Sequence, residues 1–127
     1  MALLKLFEGC RAKQELVCFG FVLMPDHLHV LLQQEGEGDR VARCMEAFKK
    51  FSSLRFKPVS YPPLRLWQAG YDDVFVPGSR SVWTKIKYMH KNPVKSGLVE
   101  SPESYAWSSA AYYWNQQACI VQVVNPW

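Results

Sequence analysis

The residue pattern predicts an α+β domain in which helices pack on an antiparallel sheet. Three observations carry that prediction. Residues Phe19 to Gln33, FGFVLMPDHLHVLLQ, form two apolar runs broken by Pro25-Asp26, as expected of two strands joined by a turn. Arg40 to Leu54 and Ser81 to Asn92 each carry apolar residues at three-and-four spacing, as expected of helices with one buried stripe. The chain has 127 residues, a length that suits one compact domain, 1–127, without an internal boundary.

In chain order, Ala2 to Lys13 reads as a helix with Leu3, Leu4, Phe7 and Cys10 or Arg11 on one side. Val17 to Met24 and His27 to Gln33 are the strands of a hairpin. Proline cannot take the positive φ of a type I′ turn, so a looser type I turn that takes in Met24 and His27 is expected. Gln34 to Arg40, QEGEGDR, is a surface loop in which Asp39 stands ready to cap the next helix. That helix has a core stripe of Val41, Cys44, Met45, Phe48, Phe51 and Leu54, with Arg40, Arg43 and Lys50 outward. Pro58, Pro62 and Pro63 make Lys57 to Leu66 loop-like, and Tyr71 to Val76 is a strand candidate.

Pro77-Gly78 reads as a turn, after which Ser79 or Ser81 caps a third helix that Pro93 stops. Its core line is Val82, Ile86 and Met89, with Trp83 beside it. At about 100° per residue, Tyr88 lies about 120° from that line and shares a face with Ser81, Lys85 and Asn92. His90 faces elsewhere and reads as a boundary residue. After a turn at Gly97, a short helix begins at Ser101-Pro102-Glu103, with Trp107 and one of Tyr112 or Tyr113 in the core. The tail Cys119 to Val124, CIVQVV, has strand composition.

Nearly half the residues are apolar and five are tryptophan, which is enough for a soluble, ordered core. The apolar start is too brief for a signal peptide or a membrane span, so a cytoplasmic location is expected. Cys10, Cys18, Cys44 and Cys119 lie too far apart for paired zinc-ligand sets and read as reduced, small apolar residues. Between Arg40 and Val99 stand twelve Lys and Arg against three acids, a local balance of +9 within a net +4. Such clustering suits a polyanion, most commonly nucleic acid, although a solvated basic face without a partner has the same composition.

The strand period points His27 and His29 to one face, with Leu28, Val30 and Leu32 on the other. Two imidazoles so placed are half of a metal site, or else a core histidine beside a partly exposed one. A phenol with a pKa near 10 is a weak nucleophile at neutral pH unless the phosphate is polarised. A histidine pair, a polar-face tyrosine with an amide one turn on, and a basic surface are therefore the parts of metal-assisted phosphodiester cleavage.

LMPDHLHVLL (Leu23–Leu32) resembles the His-hydrophobe-His motif of HUH single-strand transposases. YMHKNPVKSGLVESPESYAWSS (Tyr88–Ser109) resembles the tyrosine helix and downstream signature of the REP-associated tyrosine transposases, and LWQAGYDDVFV resembles the strand between the two motifs. The likeness runs from about Leu3 to Trp114. It implies a single domain with a ferredoxin-like antiparallel sheet that acts on single-stranded, hairpin-bearing DNA. Tyr88 would attack the scissile phosphate, leaving a 5′-phosphotyrosine and a free 3′-hydroxyl. His27 and His29, completed by Asn92, would hold Mg²⁺ or Mn²⁺, and Arg43, Lys50, Lys85, Lys87 and Lys91 would contact the DNA backbone. The protein would be nucleoid-associated when bound to DNA, with a second copy of the chain as a candidate partner.

Two departures accompany the likeness. Family members usually begin with a strand ahead of the first helix. Here that strand's place beside the histidine strand is expected to be filled by CIVQVV or by a second chain, unless the copy is truncated or its gene start mis-set. Val74 to Pro77 also lacks the basic residue that relatives often carry there. A domesticated or truncated relative that binds structured single-stranded DNA without cutting it is the alternative expectation.

Overall fold

The hairpin is the centre of the computed structural model, which describes residues 2–25, 27–55 and 78–126. β1 (Val17–Leu23) pairs antiparallel with β2 (Leu28–Gln33), with Phe21 opposite Val30, Val22 opposite His29 and Leu23 opposite Leu28. Met24 N–H donates to His27 C=O at 2.8 Å, so the two residues expected in the turn close it. The register shifts between Cys18 and Gly20, which leaves Phe19 as the extra residue of a bulge.

Helices cover the two faces of this hairpin. α1 (Ala2–Lys13) and α2 (Arg40–Arg55) pack on one face, where Leu4, Phe7, Cys44 and Phe48 meet Phe21 and Leu23. Phe7 and Phe48 meet edge to face, ring centroids 5.3 Å apart. Leu28, Val30 and Leu32 of β2 pack against the same cluster, as the strand period predicts. α3 (Gly78–Lys95) covers the opposite face with Ile86 and Met89, against Val22, Met24 and Leu31. Gly20 lets α3 come close: a Cβ there would lie 3.1 Å from Met89 Cε and 3.3 Å from Ile86 Cγ1.

The C-terminal part holds the other edge of β1. A single 3₁₀ turn (Pro102–Ser104) and α4 (Ala110–Asn115) flank Ser108, which bridges Val22. Leu23 N–H donates to Trp107 C=O at 2.8 Å, and Ser109 N–H to Phe21 C=O at 3.0 Å. Tyr105 Oη and Tyr113 Oη donate to Leu23 and Phe19 carbonyls at 2.5 and 2.6 Å. The buried Arg11 grips Glu8 with two bonds of 2.6 and 2.8 Å and donates to Leu16 C=O at 2.7 Å. Glu8 in turn accepts from Gln122 N–H, tying the tail to α1.

Several expectations are corrected. The tail pairs with β1, through a parallel bridge from Cys18 to Val123 and a 2.9 Å bond from Val124 N–H to Cys18 C=O, and not with β2. Its place is set by burial of Val121 and Val123 in the α1/α2 cluster. Among the described residues β2 has β1 as its one strand neighbour. Pro93 does not stop α3, because its ring is fully buried and offsets the lost amide bond. The helix ends at Gly97 instead, where φ is +75° and bonds from Leu98 N–H to Pro93 C=O and from Gly97 N–H to Val94 C=O close the last turn. The helix also begins at Gly78, so Ser79 and Ser81 lie inside its first turn.

The loop before α2 serves Val41 N–H through Gln34 Oε1 at 3.3 Å, while Asp39 gives its carboxylate to Arg43. Phe51, Leu54 and Trp107, expected in the core, are exposed. Helix from Ser101 is reduced to the 3₁₀ turn, and the tail strand to one bridge. The strand candidate Tyr71–Val76 and the loop 57–66 lie outside the described residues. Among the described residues, no helix is long and apolar enough to cross a membrane.

Candidate nucleic-acid and metal site

Antiparallel pairing decides which face carries the histidines. Residues directly opposite across two strands share a face, so His29 lies on the same side as Val22, its partner. Val22 packs under Ile86 and Met89, so this is the α3 face of the sheet. His27 joins His29 there, with ring centroids 4.5 Å apart and planes at 85°. His27 is half-buried and His29 exposed at its rim. Burial, and then the neighbouring His27, hold the His29 pKa below the ordinary imidazole value. Neutral imidazole is the form that ligates a metal, so protons compete less for this nitrogen.

α3 covers this face of the sheet and carries the second group of residues. Ile86 and Met89 face the sheet, which turns Tyr88 outward, and the tyrosine is 53% exposed as the helical spacing predicts. Asn92, one turn further on and about 40° around the axis, is half-buried. Lys85, Lys87 and Lys91 are all exposed on this helix. Lys87 Nζ lies 5.9 Å from the centroid of Trp83, and Lys95 Nζ lies 5.1 Å from that of Tyr88. Lys95 is absent from the expected contact residues, although its spacing of seven from Tyr88 signals a shared face.

Comparison with protein-family models, curated proteins and solved structures returns no match. Two of the expected DNA contacts, Arg43 and Lys50, stand on α2, on the far side of the sheet from α3. Arg43 Nε is also engaged by Asp39 at 2.9 Å, and Lys50 Nζ lies 5.6 Å from the Phe51 ring centroid. The expected cationic set is thus divided between two layers. Among the described residues, no three His, Cys, Asp or Glu side chains converge as a ligand set.

His90, expected at the boundary, is instead 3% exposed, with Nε2 2.8 Å from Ser109 Oγ. Burial pushes its pKa down to about 4. Ser109 Oγ also accepts from Phe21 N–H at 3.1 Å, so this buried pair joins α3 to β1 and to the start of α4. Cys18 and Cys44 are buried, and burial raises both thiols to about 12, which suits their reading as small apolar residues.

Proposed function

We propose that this chain is a metal-dependent nuclease and strand transferase of the tyrosine-transposase type, acting on hairpin-bearing single-stranded DNA. The observation that carries the reading is the paired imidazoles of His27 and His29 on the α3 face of the sheet, the layer whose helix carries Tyr88 and Asn92. The finer fold reading goes with it: a ferredoxin-like sheet to which the hairpin contributes two strands.

The donor set fits a divalent ion in kind. Two adjacent imidazoles stand at the start of β2, His29 on the strand and His27 just before it, and Asn92 would offer an amide oxygen from α3. A bound Mg²⁺ or Mn²⁺ would polarise the scissile phosphate, a preference that comes from the phosphate oxygens since imidazole alone favours softer ions. The rest belongs to the chain. Tyr88 Oη forms the new bond to phosphorus as the bond from phosphorus to the 3′-oxygen breaks, and the phenolic proton passes to solvent while the 3′-oxygen gains one. The product is a 5′-phosphotyrosine and a free 3′-hydroxyl. Lys85, Lys87 and Lys91 hold the backbone by charge, which orients the strand without reading its sequence.

Covalent capture tests this. Wild-type protein with Mn²⁺ or Mg²⁺ and a hairpin oligonucleotide is expected to give a protein–DNA adduct resolved by denaturing electrophoresis, and Tyr88→Phe none. Equal adduct from both would remove Tyr88 as the nucleophile. A second reading, a binder of structured single-stranded DNA that does not cut, draws support from the two cation–aromatic pairs on α3, which suit base stacking and phosphate contact alone. It gives binding without an adduct in the same assay.

A further inference from the structure

Five residues of α3, Arg80, Lys85, Lys87, Lys91 and Lys95, are cations, and the last is set apart by its place. Seven residues separate Tyr88 from Lys95, which brings the lysine to within about 20° of the tyrosine around the helix axis, against about 60° for Lys85 and Lys91. Lys95 Nζ lies 5.1 Å from the Tyr88 ring centroid. Both side chains are exposed, so neither is needed in the core. The backbone beneath Lys95 is nevertheless firmly held: Pro93 is fully buried, and the two bonds that close the turn at Gly97 bracket the lysine. A cation in the last turn of a helix is also favoured by the negative end of the helix dipole.

We infer that Lys95 is the positioning residue of Tyr88: its ammonium group holds the phenol ring over the end of α3 and brings a positive charge to the phosphate that the ring approaches. Lys85, Lys87 and Lys91 by contrast serve the strand on either side. The inference rests on the reading of Tyr88 as a nucleophile and gives that residue a partner. A phosphate that becomes more charged at its equatorial oxygens during transfer gains most from a cation already fixed beside the attacking group. The cation is preorganised because its partner ring and its helix end hold it before DNA arrives.

The test measures single-turnover adduct formation with Mn²⁺ and a saturating hairpin oligonucleotide, oligonucleotide affinity by anisotropy, and thermal unfolding, for wild type, Lys95→Met, Lys95→Arg and Lys91→Met. Expected for Lys95→Met is a rate about tenfold lower at saturation, an unchanged unfolding temperature, and a smaller change in affinity than in rate. Lys95→Arg should recover most of the rate, since a guanidinium also stacks on an aromatic face. Lys91→Met should weaken affinity more than it slows the saturated rate, the reverse of the order in Lys95→Met. A Lys95→Met rate equal to wild type overturns the assignment, as does an equal rate loss in Lys91→Met. A lowered unfolding temperature that accounts for the rate loss makes Lys95 structural and overturns it too. Absence of adduct from the wild type overturns the nuclease reading itself, a result distinct from wild-type capture that Lys95→Met leaves intact.

Discussion

His90 is the residue where burial has the plainest consequence in solution. Its imidazole is enclosed by α3, β1 and the start of α4, and its pKa falls from 6.5 to about 4 because the charged form loses water. Between those two values the unfolded chain binds a proton that the folded chain refuses. Stability contributed by neutral His90 is therefore complete above about pH 6.5, declines as pH falls, and is exhausted near pH 4. The total is on the order of 3 kcal/mol. Urea titrations across this range should show the decline in wild type and a flattened profile in His90→Gln. An unchanged slope in that variant would assign the acid sensitivity to other groups. The spacing did carry a signal for this burial, since His90 follows Ile86 by four residues on the buried stripe of α3, but its enclosure by Ser109 and Tyr113 of the C-terminal part is a tertiary outcome.

At the scale of elements, the contact between α3 and the hairpin depends on the absence of one carbon. A methyl group at position 20 would press on Met89, Ile86 and Ser109 together, at 3.1 to 3.3 Å. Gly20→Ala is expected to destabilise the fold by about 1–3 kcal/mol through overpacking. Since the nearest atom is the flexible tip of Met89, part of that loss should be relieved in a Met89→Ala background, a coupling that a double-mutant cycle measures. Additive effects would mean that the helix backbone, and not Met89, resists the extra carbon. The hairpin and the three longer helices were legible in the sequence, since period two and period 3.6 are local properties of the chain. Helix ends were less legible. Pro93 reads as a stop until burial of its ring is known, and Gly97 then ends the helix by its positive φ.

At the scale of the molecule, the sheet separates two sets of cations that the sequence joins. Lys85, Lys87 and Lys91 lie with Tyr88 on α3, whereas Arg43 and Lys50 lie on α2 across the hairpin. A single strand held along α3 should lose counterions mainly to the first set. Each of Lys85→Met and Lys91→Met is expected to reduce the slope of log affinity against log salt by about 0.7. Arg43→Met and Lys50→Met should leave it nearly unchanged, the more so for Arg43 since Asp39 already occupies it. Anisotropy titrations over a salt series decide this, and equal slopes for both sets of variants would extend the bound strand around the molecule.

Taken alone, the sequence determined the hairpin, the common face of His27 and His29, and the outward position of Tyr88 one turn before Asn92. Each follows from short-range spacing along the backbone, although His27 stands just before β2. Tertiary structure decided that the histidine face is the α3 face, that the tail lies along β1 and not β2, that Arg43 and Lys50 stand on the other side, and that His90 is enclosed. Those outcomes depend on which distant segment covers a given face or edge. Periodicity tells which residues share a face but carries no information about its neighbour, because contacts between segments far apart in sequence settle that choice.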